Sequence, residues 1–339
     1  MQVDERQKEL IKWLGSVFGS QDFSCEPASS DASFRRYFRV VYEGKSFVVM
    51  DAPPAKEDCV PFLNIATLLC SSGVQAPTIY HHSLSQGFMV LSDFGAISYM
   101  DALSNDTVND LYADASSVLH LLHEIPTNTE NLPVYSETML FQEMTLFREW
   151  FIEGLLKINL SDQEVMALGQ AQVALTASAL EQPQVFVHRD YHSRNLMVTE
   201  QNNPGVIDFQ DAVIGPLTYD LVSLYRDCYI AWPDEQVYHW LDTFLSTRSD
   251  VGIKDGFTTE QFYQWFDLMG VQRHMKAIGI FSRLLLRDGK AGYLADIPRT
   301  LNYIKQVSKK HSALNILQEL IVKYELEARM ADVLQARSS

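Results

Sequence analysis

The chain has 339 residues, of which 47% are hydrophobic and 21% are charged, and its formal net charge is −16. This composition is typical of a globular protein with two lobes or domains. The negative charge argues against nucleic acid or an anionic membrane as a partner, because both attract a positive surface. No stretch has the apolar length of a membrane span and the charged start lacks the form of a signal peptide, so we expect a cytoplasmic protein. The cysteines are scattered, which favours free thiols, and the sequence does not indicate an oligomeric state.

The first part of the chain alternates between helical and strand patterns. Apolar residues at helical spacing predict helices over Glu5–Phe18 and Pro61–Ser72. Two alternating runs joined by Glu43-Gly44-Lys45 predict a β-hairpin. The predicted strands are Tyr37–Tyr42, Ser46–Met50, Ala76–Tyr80 and Gly87–Leu91. We therefore expect a small antiparallel sheet with one main helix in this part.

From Tyr99 onward the pattern is mostly helical. The predicted helices are Leu103–Ile125, Glu137–Leu156, Asp162–Leu180, Tyr219–Ala231, Asp234–Ser246, Thr259–Asp288 and Pro298–Leu334. The expected fold class is α+β, with an antiparallel-sheet lobe over residues 1–95, a hinge near residues 91–95 and a larger, mainly helical lobe over residues 96–339.

One region combines three polar residues in a fixed order. An apolar run ends in His188-Arg189-Asp190, Asn195 follows, and a second apolar run ends in Asp208. This order is typical of kinases, whose chemistry depends on positioning and charge neutralisation. One carboxylate orients the attacking hydroxyl, which is the predicted role of Asp190. Asn195 and Asp208 supply oxygen ligands of the kind that Mg²⁺ prefers.

The spacing of these residues predicts a hairpin. The short apolar runs 195–199 and 205–209 are joined by a turn-forming sequence, Glu200-Gln201-Asn202-Asn203-Pro204. Pairing of the two runs would bring Asn195 and Asp208 together at the open end of the hairpin.

Two competing interpretations concern the same types of residue. His188, Asp190 and His192 alternate as in a metal-hydrolase cluster, but such sites need further ligands, and His120 and His123 lie in a helical pattern. We therefore interpret His188 as a structural residue that holds the loop.

The literal motif Asp93-Phe94-Gly95 resembles the metal-binding motif of protein kinases, but it precedes the catalytic loop. We interpret Asp93 as part of the connection that follows a strand.

Taken together, these motifs resemble the aminoglycoside phosphotransferase and choline kinase superfamily, with further support from Gly215-Pro216 to Tyr219-Asp220-Leu221. The resemblance implies a two-lobed, protein-kinase-like fold with ATP and Mg²⁺ as cofactors. Phrases such as Arg36-Tyr37-Phe38-Arg39 and Met50-Asp51-Ala52-Pro53-Pro54 are similar to the bacterial kinases of cell-wall recycling, which phosphorylate C1 of N-acetylmuramic acid and N-acetylglucosamine. The implied partners are ATP and a small amino sugar.

The resemblance also implies where the nucleotide binds. Backbone groups of Leu91, Ser92 and Asp93 would contact the adenine. The segment from Ser29 to Phe34, including Ser30 and Ser33, would cover the phosphates although it contains no glycine. Met50 stands where a phosphate-pairing lysine is expected, so the cation must come from elsewhere. The candidates are Lys56, Arg35 and Arg36.

The acceptor site is less directly indicated. Asp211 and Arg226 follow the metal aspartate, and a carboxylate beside an arginine suits sugar hydroxyls and a lactyl carboxylate. Arg194 and His192, within the catalytic loop, are further acceptor candidates. Asp220 is predicted to brace the catalytic loop by accepting hydrogen bonds from its backbone.

Two other functions stay open at this point. The acceptor could instead be an aminoglycoside, a choline-like alcohol or another small alcohol. Alternatively, Met50 and the missing glycines would also suit a nucleotide-binding protein that has lost catalysis.

Overall fold

The computed structural model describes residues 4–30, 34–129, 132–248 and 256–338. The helices are α1 (Glu5–Phe18), α2 (Val60–Ser71), α3 (Tyr99–Ala102), α4 (Val108–His123), α5 (Glu137–Leu146), α6 (Asp162–Leu180), α7 (Tyr219–Tyr225), α8 (Asp234–Thr247), α9 (Thr259–Asp288), α10 (Ile297–Ser308), α11 (Asn315–Lys323) and α12 (Leu326–Ser338). The strands are β1 (Ser24–Ser30), β2 (Arg36–Tyr42), β3 (Lys45–Asp51), β4 (Ile79–Ser83), β5 (Phe88–Ser92), β6 (Gln184–Val187), β7 (Leu196–Met197), β8 (Gly205–Val206) and β9 (Val213–Pro216).

The chain divides into two compact units. The first unit comprises the residues up to Leu121 together with Arg194–Asp211, and the second comprises Leu122–Ser193 together with Ala212 and the residues after it. The sequence instead suggests a lobe boundary near residue 95, which stays a prediction. The difference is that the first unit also includes α3, most of α4 and the β7–β8 hairpin.

The first unit is built on a five-stranded antiparallel sheet with the order β1-β2-β3-β5-β4. The tight turn between β2 and β3 has positive φ at both Glu43 (48°) and Gly44 (74°), as the right-handed twist of a two-residue hairpin favours. On one face of the sheet, Leu10 and Leu14 of α1 pack against Phe38, Val40 and Val49. These five side chains are at most 4% exposed and form the core of this unit.

The second unit is mainly helical and is organised around α9. This helix begins after the N-cap Thr258, whose side chain accepts a hydrogen bond from the backbone of Gln261, and ends at the left-handed Gly289. It contacts α5, α6, α7, α10 and a π-helical continuation of α5 over Phe147–Leu155. Strands β6 and β9 pair antiparallel, from Gln184 opposite Pro216 to Val187 opposite Val213.

The predicted fold class is confirmed, since an antiparallel sheet is followed by a mostly helical remainder. Two of the helix predictions are wrong, one in where the helix ends and one in the number of helices. The helix expected over Tyr219–Ala231 stops at Tyr225, because Arg226 leaves the helical region with φ −119° and ψ 51°. The stretch Pro298–Leu334 forms three helices rather than one, and Glu325 adopts a left-handed φ of 50° at the last break.

Candidate phosphoryl-transfer site

The first unit contains a cavity of about 430 Å³. One wall is formed by the sheet and the segment that follows β5, and another is formed by the β7–β8 hairpin and its flanking residues. The lining residues are Ala28, Tyr37, Arg39, Val48, Phe62, Pro77, Leu91, Ser92, Asp93, Phe94, Gly95, Ala96, Ser98, Arg194, Asn195, Met197, Ile207, Asp208 and Phe209. The polar members lie on β2, at the end of β5 and after it, and beside the hairpin.

Asp93 follows β5, in the connection suggested by the sequence. Its carboxylate accepts hydrogen bonds from Arg39 Nε at 2.7 Å, from Ser46 Oγ at 2.5 Å and from the backbone of Gly95 at 2.9 Å. Burial opposes ionisation of Asp93, but the hydrogen bonds from Arg39 and Ser46 outweigh it, so the pKa of this carboxyl lies below its ordinary value. The Asp93 side chain is therefore engaged in fixing the chain after β5.

Phe94 connects this segment with the hairpin. Gly205 lies so close to the Phe94 ring that a Cβ at residue 205 would lie 2.6 Å from Cδ2 of Phe94. Gly205 is paired with Met197 across the hairpin, and both Phe94 and Met197 line the cavity. The glycine thus permits the hairpin to lie directly against the aromatic ring.

The hairpin holds Asn195 and Asp208 together. Leu196 pairs with Val206, and the backbone N–H of Ile207 donates to the carbonyl oxygen of Asn195 at 3.1 Å. Nδ2 of Asn195 donates to Oδ2 of Asp208 at 3.3 Å, so the two predicted metal ligands are neighbours. Asp208 has a left-handed φ of 63°, a strained backbone conformation that is common at functional sites.

Among the predicted phosphate-binding cations, Arg36 and Lys56 have other contacts. Arg36 donates to Oδ2 of Asp51 from Nε at 2.9 Å and also pairs with Asp4. Lys56 is exposed, with its ammonium 5.2 Å from the centre of the Phe34 ring. Both residues lie in the first unit, but neither lines the cavity.

In the second unit, β6 leads into the loop that carries Asp190. The carboxylate of Asp220 accepts hydrogen bonds from the backbone N–H of His188 at 2.6 Å and of Arg189 at 3.0 Å. Nδ1 of His188 accepts from the backbone N–H of Asp190 at 3.3 Å. His188 and Asp220 are at most 1% exposed, and Arg189 has a left-handed φ of 78°. The loop is therefore held by buried polar contacts in a conformation that its backbone would rarely adopt alone.

Positive charges surround Asp190. Burial opposes ionisation of this carboxyl, but Lys276, His192 and Arg273 outweigh burial and hold its pKa well below the usual range. Lys276 and Arg273 both belong to α9, and each is buried. Asp190 is therefore an ionised carboxylate, which can accept hydrogen bonds but cannot donate them.

A buried polar network lies behind this loop. Glu143 of α5 pairs with Arg189 and, at 3.3 Å, with the ammonium of Lys276. Lys276 also donates to the hydroxyl of Tyr219 at 3.1 Å. Burial opposes ionisation of Glu143, but Lys276 and Arg189 lower its pKa overall. The network links α5, α7 and α9 to the arginine that precedes Asp190.

Comparison with known proteins identifies the family. The profile of the phosphotransferase enzyme family matches residues 24–253. The chain belongs to this family. It is 44% identical to the N-acetylmuramate/N-acetylglucosamine kinase of Pseudomonas putida over 96% of this chain and 98% of that protein. The protein of the same name from Neisseria meningitidis is 38% identical over 94% of this chain and 96% of that protein.

A solved structure shows the same fold. The choline kinase LicA from Streptococcus pneumoniae is 14% identical to this chain, with a TM-score of 0.64 over 90% of this chain and 100% of that chain. LicA has also been solved in complex with AMP, with a TM-score of 0.60. The predicted resemblance to aminoglycoside phosphotransferases and choline kinases, and the kinase-like fold, are therefore confirmed. The chain is an enzyme of the phosphotransferase class.

The other predicted residues of this phosphotransferase lie in several environments. Leu91, Ser92 and Arg194 line the cavity of the first unit, and Phe34 is 62% exposed. Ser29 and Ser30 end β1, opposite Tyr37 and Arg36 of β2, whereas Ser33 lies outside the described residues. The predicted phosphate-covering segment therefore begins in a strand that the sequence did not indicate.

The predicted acceptor residues also lie in different environments. Arg226 is 2% exposed and donates to Oδ1 of Asp267 at 2.7 Å, with its guanidinium 4.7 Å from the centre of the Phe266 ring. His192 is buried against Tyr229, with ring centres 5.2 Å apart. Asp211 is exposed at the end of the first unit. Of these residues, His192 is the one whose charge acts on Asp190.

The sequence did not reveal Lys276, Arg273 or Glu143. A signal was present for the first two, because the apolar middle of α9 is interrupted by cations three residues apart, which places them on one face of a helix. Glu143 had no such signal. The metal-hydrolase interpretation finds no support in the described part of the chain, where no three or more His, Cys, Asp and Glu side chains are grouped so as to hold a metal ion. Within the same described residues, no helix has the length and apolar character needed to cross a membrane.

Proposed function

We propose that this phosphotransferase transfers the γ-phosphoryl group of ATP to the anomeric C1 hydroxyl of N-acetylmuramic acid and N-acetylglucosamine. The observation that carries the proposal is the 44% identity to a kinase named for these two amino sugars, over nearly the whole of both chains. The reaction would serve the recycling of cell-wall peptidoglycan. A cytoplasmic location, where ATP is available, is part of the proposal.

The proposed role of Asp190 follows from its charge. A carboxylate whose pKa lies well below its usual range is a weak base, so it orients the attacking hydroxyl by accepting its hydrogen bond. The anomeric hydroxyl is more acidic than an ordinary alcohol because the ring oxygen withdraws electrons from C1. Its proton can therefore move to Asp190 late in the transfer, as bond formation to phosphorus lowers the pKa of the attacking oxygen.

We propose that ATP occupies the cavity of the first unit, with its adenine against the segment after β5. The cavity volume of about 430 Å³ is within the range of small-molecule sites. The backbone N–H of Ser92 donates to the carbonyl oxygen of Thr78 at 2.9 Å, so contacts to the adenine would come mainly from Leu91 and Asp93. Ser29, Ser30, Ser33 and Phe34 are proposed to cover the phosphates.

Asn195 and Asp208 are proposed to hold Mg²⁺. Their oxygen atoms are hard donors, and a two-residue set suits an ion that keeps several waters and binds substrate phosphates. Because Nδ2 of Asn195 donates to Asp208, the amide oxygen is the atom that Asn195 would offer a cation. When bound, the ion supplies neutralisation of the phosphate charge. The proposed mechanism requires no other chemistry from the ion.

The acceptor residues are the least constrained part of the proposal. His192, Arg194, Asp211 and Arg226 stay predictions as acceptor-binding residues. Arg226 is already bonded to Asp267, which favours an indirect role in shaping the acceptor site.

A panel assay tests the proposal. The purified protein is incubated with ATP and Mg²⁺ and with one acceptor at a time, and ADP release is followed. We expect turnover with both amino sugars and none with choline or an aminoglycoside. Turnover with choline or an aminoglycoside alone would show that the acceptor is that compound and not an amino sugar. An absence of turnover with every acceptor, together with no ATP-dependent thermal stabilisation, would favour the non-catalytic alternative.

A further inference from the structure

The first unit lacks a lysine at the position from which such kinases usually contact the nucleotide phosphates. Met50 occupies that position on β3, where it is 1% exposed and pairs with Tyr37 of β2. Tyr37 and Val48, which belong to the same two strands, both line the cavity. The phosphates of a nucleotide still need a fixed positive charge near this wall, since burial of their charge without a partner is costly.

Most cationic side chains in the described part of the first unit are already paired with a carboxylate or are exposed. Arg39 forms a two-point contact with the carboxylate of Asp93, at 2.7 and 3.1 Å. Arg36 is shared between Asp51 and Asp4. The ammonium of Lys56 lies over the Phe34 ring on the surface.

Arg35 is held differently. Its side chain is 11% exposed, and its NH2 nitrogen lies 3.2 Å from Oε2 of Glu57. The other carboxylate oxygen of Glu57 accepts from the backbone N–H of Phe34 at 3.2 Å, so one half-buried carboxylate contacts both the guanidinium and the chain that carries it. The NH1 nitrogen of Arg35 lies 3.9 Å from Oδ1 of Asp208, a distance at which the charges attract without a hydrogen bond between these atoms.

We propose that Arg35, positioned by Glu57, is the phosphate-binding cation that replaces the missing lysine. The inference rests on the proposed function in that the bound phosphates are those of ATP. Arg35 is not itself a lining residue, but its NH1 nitrogen lies 3.9 Å from Asp208, which lines the cavity. A planar guanidinium fits phosphate oxygens with two parallel hydrogen bonds, so it can supply, from the residue that precedes β2, the charge that a lysine would supply from β3. Glu57 would then correspond to the glutamate that forms an ion pair with the β3 lysine in protein kinases.

The test compares nucleotide affinity in the absence of any acceptor. Arg35→Met should weaken binding of ATP and ADP by about 100-fold and leave adenosine binding within about twofold, because a charge-assisted contact to phosphate is lost. Arg35→Lys should retain part of the affinity, and Glu57→Gln should weaken ATP binding by about tenfold. The double variant Arg35→Met with Met50→Lys returns a cation to the wall and should recover at least about tenfold of the lost affinity.

Control variants separate this role from folding and from other cations. Arg6→Met removes an arginine that is also paired with a carboxylate of the same unit, Asp51 at 2.6 Å, and should leave ATP affinity unchanged. Equal losses for ATP and adenosine in Arg35→Met would overturn the proposal, since they would show a general loss of the site. The proposal is also overturned if Arg194→Met or Lys56→Met weakens binding of ATP but not of adenosine, while Arg35→Met does not.

The measurement is independent of the acceptor. If the wild type binds ATP and Arg35→Met loses it, the proposal holds even where neither amino sugar is phosphorylated, and only the acceptor assignment fails. If the wild type binds no ATP, the proposed function and the role of Arg35 fail together.

Discussion

The amide nitrogen of Asn195 lies 3.3 Å from the Asp208 carboxylate, although thirteen positions separate the two residues in the chain. The two-residue strands β7 and β8 create this contact, and the left-handed φ of Asp208 turns the chain at the end of the second strand. A carboxylate and an amide are thus presented together on the wall of the cavity of the first unit.

Replacing Asp208 by asparagine should remove the negative ligand while keeping the shape of the side chain. We expect the Mg²⁺ concentration required for half-maximal activity to rise by at least about tenfold, because a neutral amide oxygen is a weaker ligand for a hard cation. Kinetic titration with Mg²⁺ at saturating ATP measures this. The control is Asp211→Asn, which neutralises an exposed carboxylate nearby in sequence that is predicted to bind the acceptor. It shows whether a change in acceptor affinity alone could alter the Mg²⁺ requirement. An unchanged Mg²⁺ requirement in Asp208→Asn would remove Asp208 from the metal site.

Lys276→Met should change the pH dependence of catalysis. The ammonium of Lys276 lowers the pKa of Asp190, so its removal raises that pKa, and the acid limb of the kcat/KM profile moves to higher pH. The matched control is Lys305→Met, which removes a partly exposed ammonium paired with Glu327 at 2.5 Å on α12. Profiles are recorded from pH 3 to 7, because the acid limb of a carboxylate with a lowered pKa lies at acid pH. An acid limb that coincides with that of wild type would mean that Lys276 acts only through packing.

Gly205→Ala should destabilise the fold by about 1–3 kcal/mol, because the added methyl group meets the Phe94 ring and one of them must shift. Gly169→Ala is the control, since a Cβ there meets nothing within 4 Å and lies inside α6. That substitution should be neutral or stabilising by up to about 1 kcal/mol. Urea unfolding of the two variants measures the difference. Equal stabilities would show that the hairpin can move away from Phe94 without cost.

His274 should make stability depend on pH. Burial lowers the pKa of His274 to about 3, and its Nε2 is bonded to the carbonyl oxygen of Arg226 at 2.9 Å. Below the ordinary histidine pKa of 6.5 the unfolded chain takes up a proton that the folded chain does not, so stability is complete above that pH and falls as the pH decreases towards 3. Between pH 7.5 and pH 5 this contribution amounts to about 2 kcal/mol.

The variant His274→Phe keeps a ring stacked on Tyr303, whose centre is 4.8 Å away, and removes the titrating group. Its free energy of unfolding, measured by denaturant unfolding, should therefore fall by about 2 kcal/mol less than that of wild type over the same pH interval. His82→Phe, on the exposed side of β4, controls for the loss of a histidine as such. Parallel curves for wild type and His274→Phe would contradict the assignment.

The sequence predicted the parts of this protein that depend on local pattern. Helix α9 was found at its correct ends because Thr258, Thr259 and Glu260 form a capped, acidic start before an apolar run, and Gly289 ends it. The sequence singles out Asp190, Asn195 and Asp208 because phosphoryl transfer restricts the residue types and their order, and their roles stay a prediction. Strand β1 was missed, since Pro27 and small residues give an edge strand little β pattern.

Contacts that depend on register or on distant partners could not be predicted. Arg36 is the first residue of β2 and Arg35 precedes it, so which of the two side chains lies near Asp208 depends on how the chain enters the strand, which the sequence leaves open. In the structure Arg36 pairs with Asp51, whereas Arg35 meets Glu57 and Asp208. The contact between Glu143 and Lys276 joins two helices whose mutual packing no local pattern specifies.

The central claim is transfer of a phosphoryl group to the anomeric oxygen with Asp190 orienting it. The most direct test is ³¹P and ¹H NMR of the product formed from ATP and N-acetylmuramic acid by the wild type and by Asp190→Asn. We predict a sugar 1-phosphate whose phosphorus couples to the anomeric proton, formed at least about 1,000-fold more slowly by the variant, while ATP affinity is retained. A phosphate on any other sugar oxygen, or an equal rate with Asp190→Asn, would contradict the account.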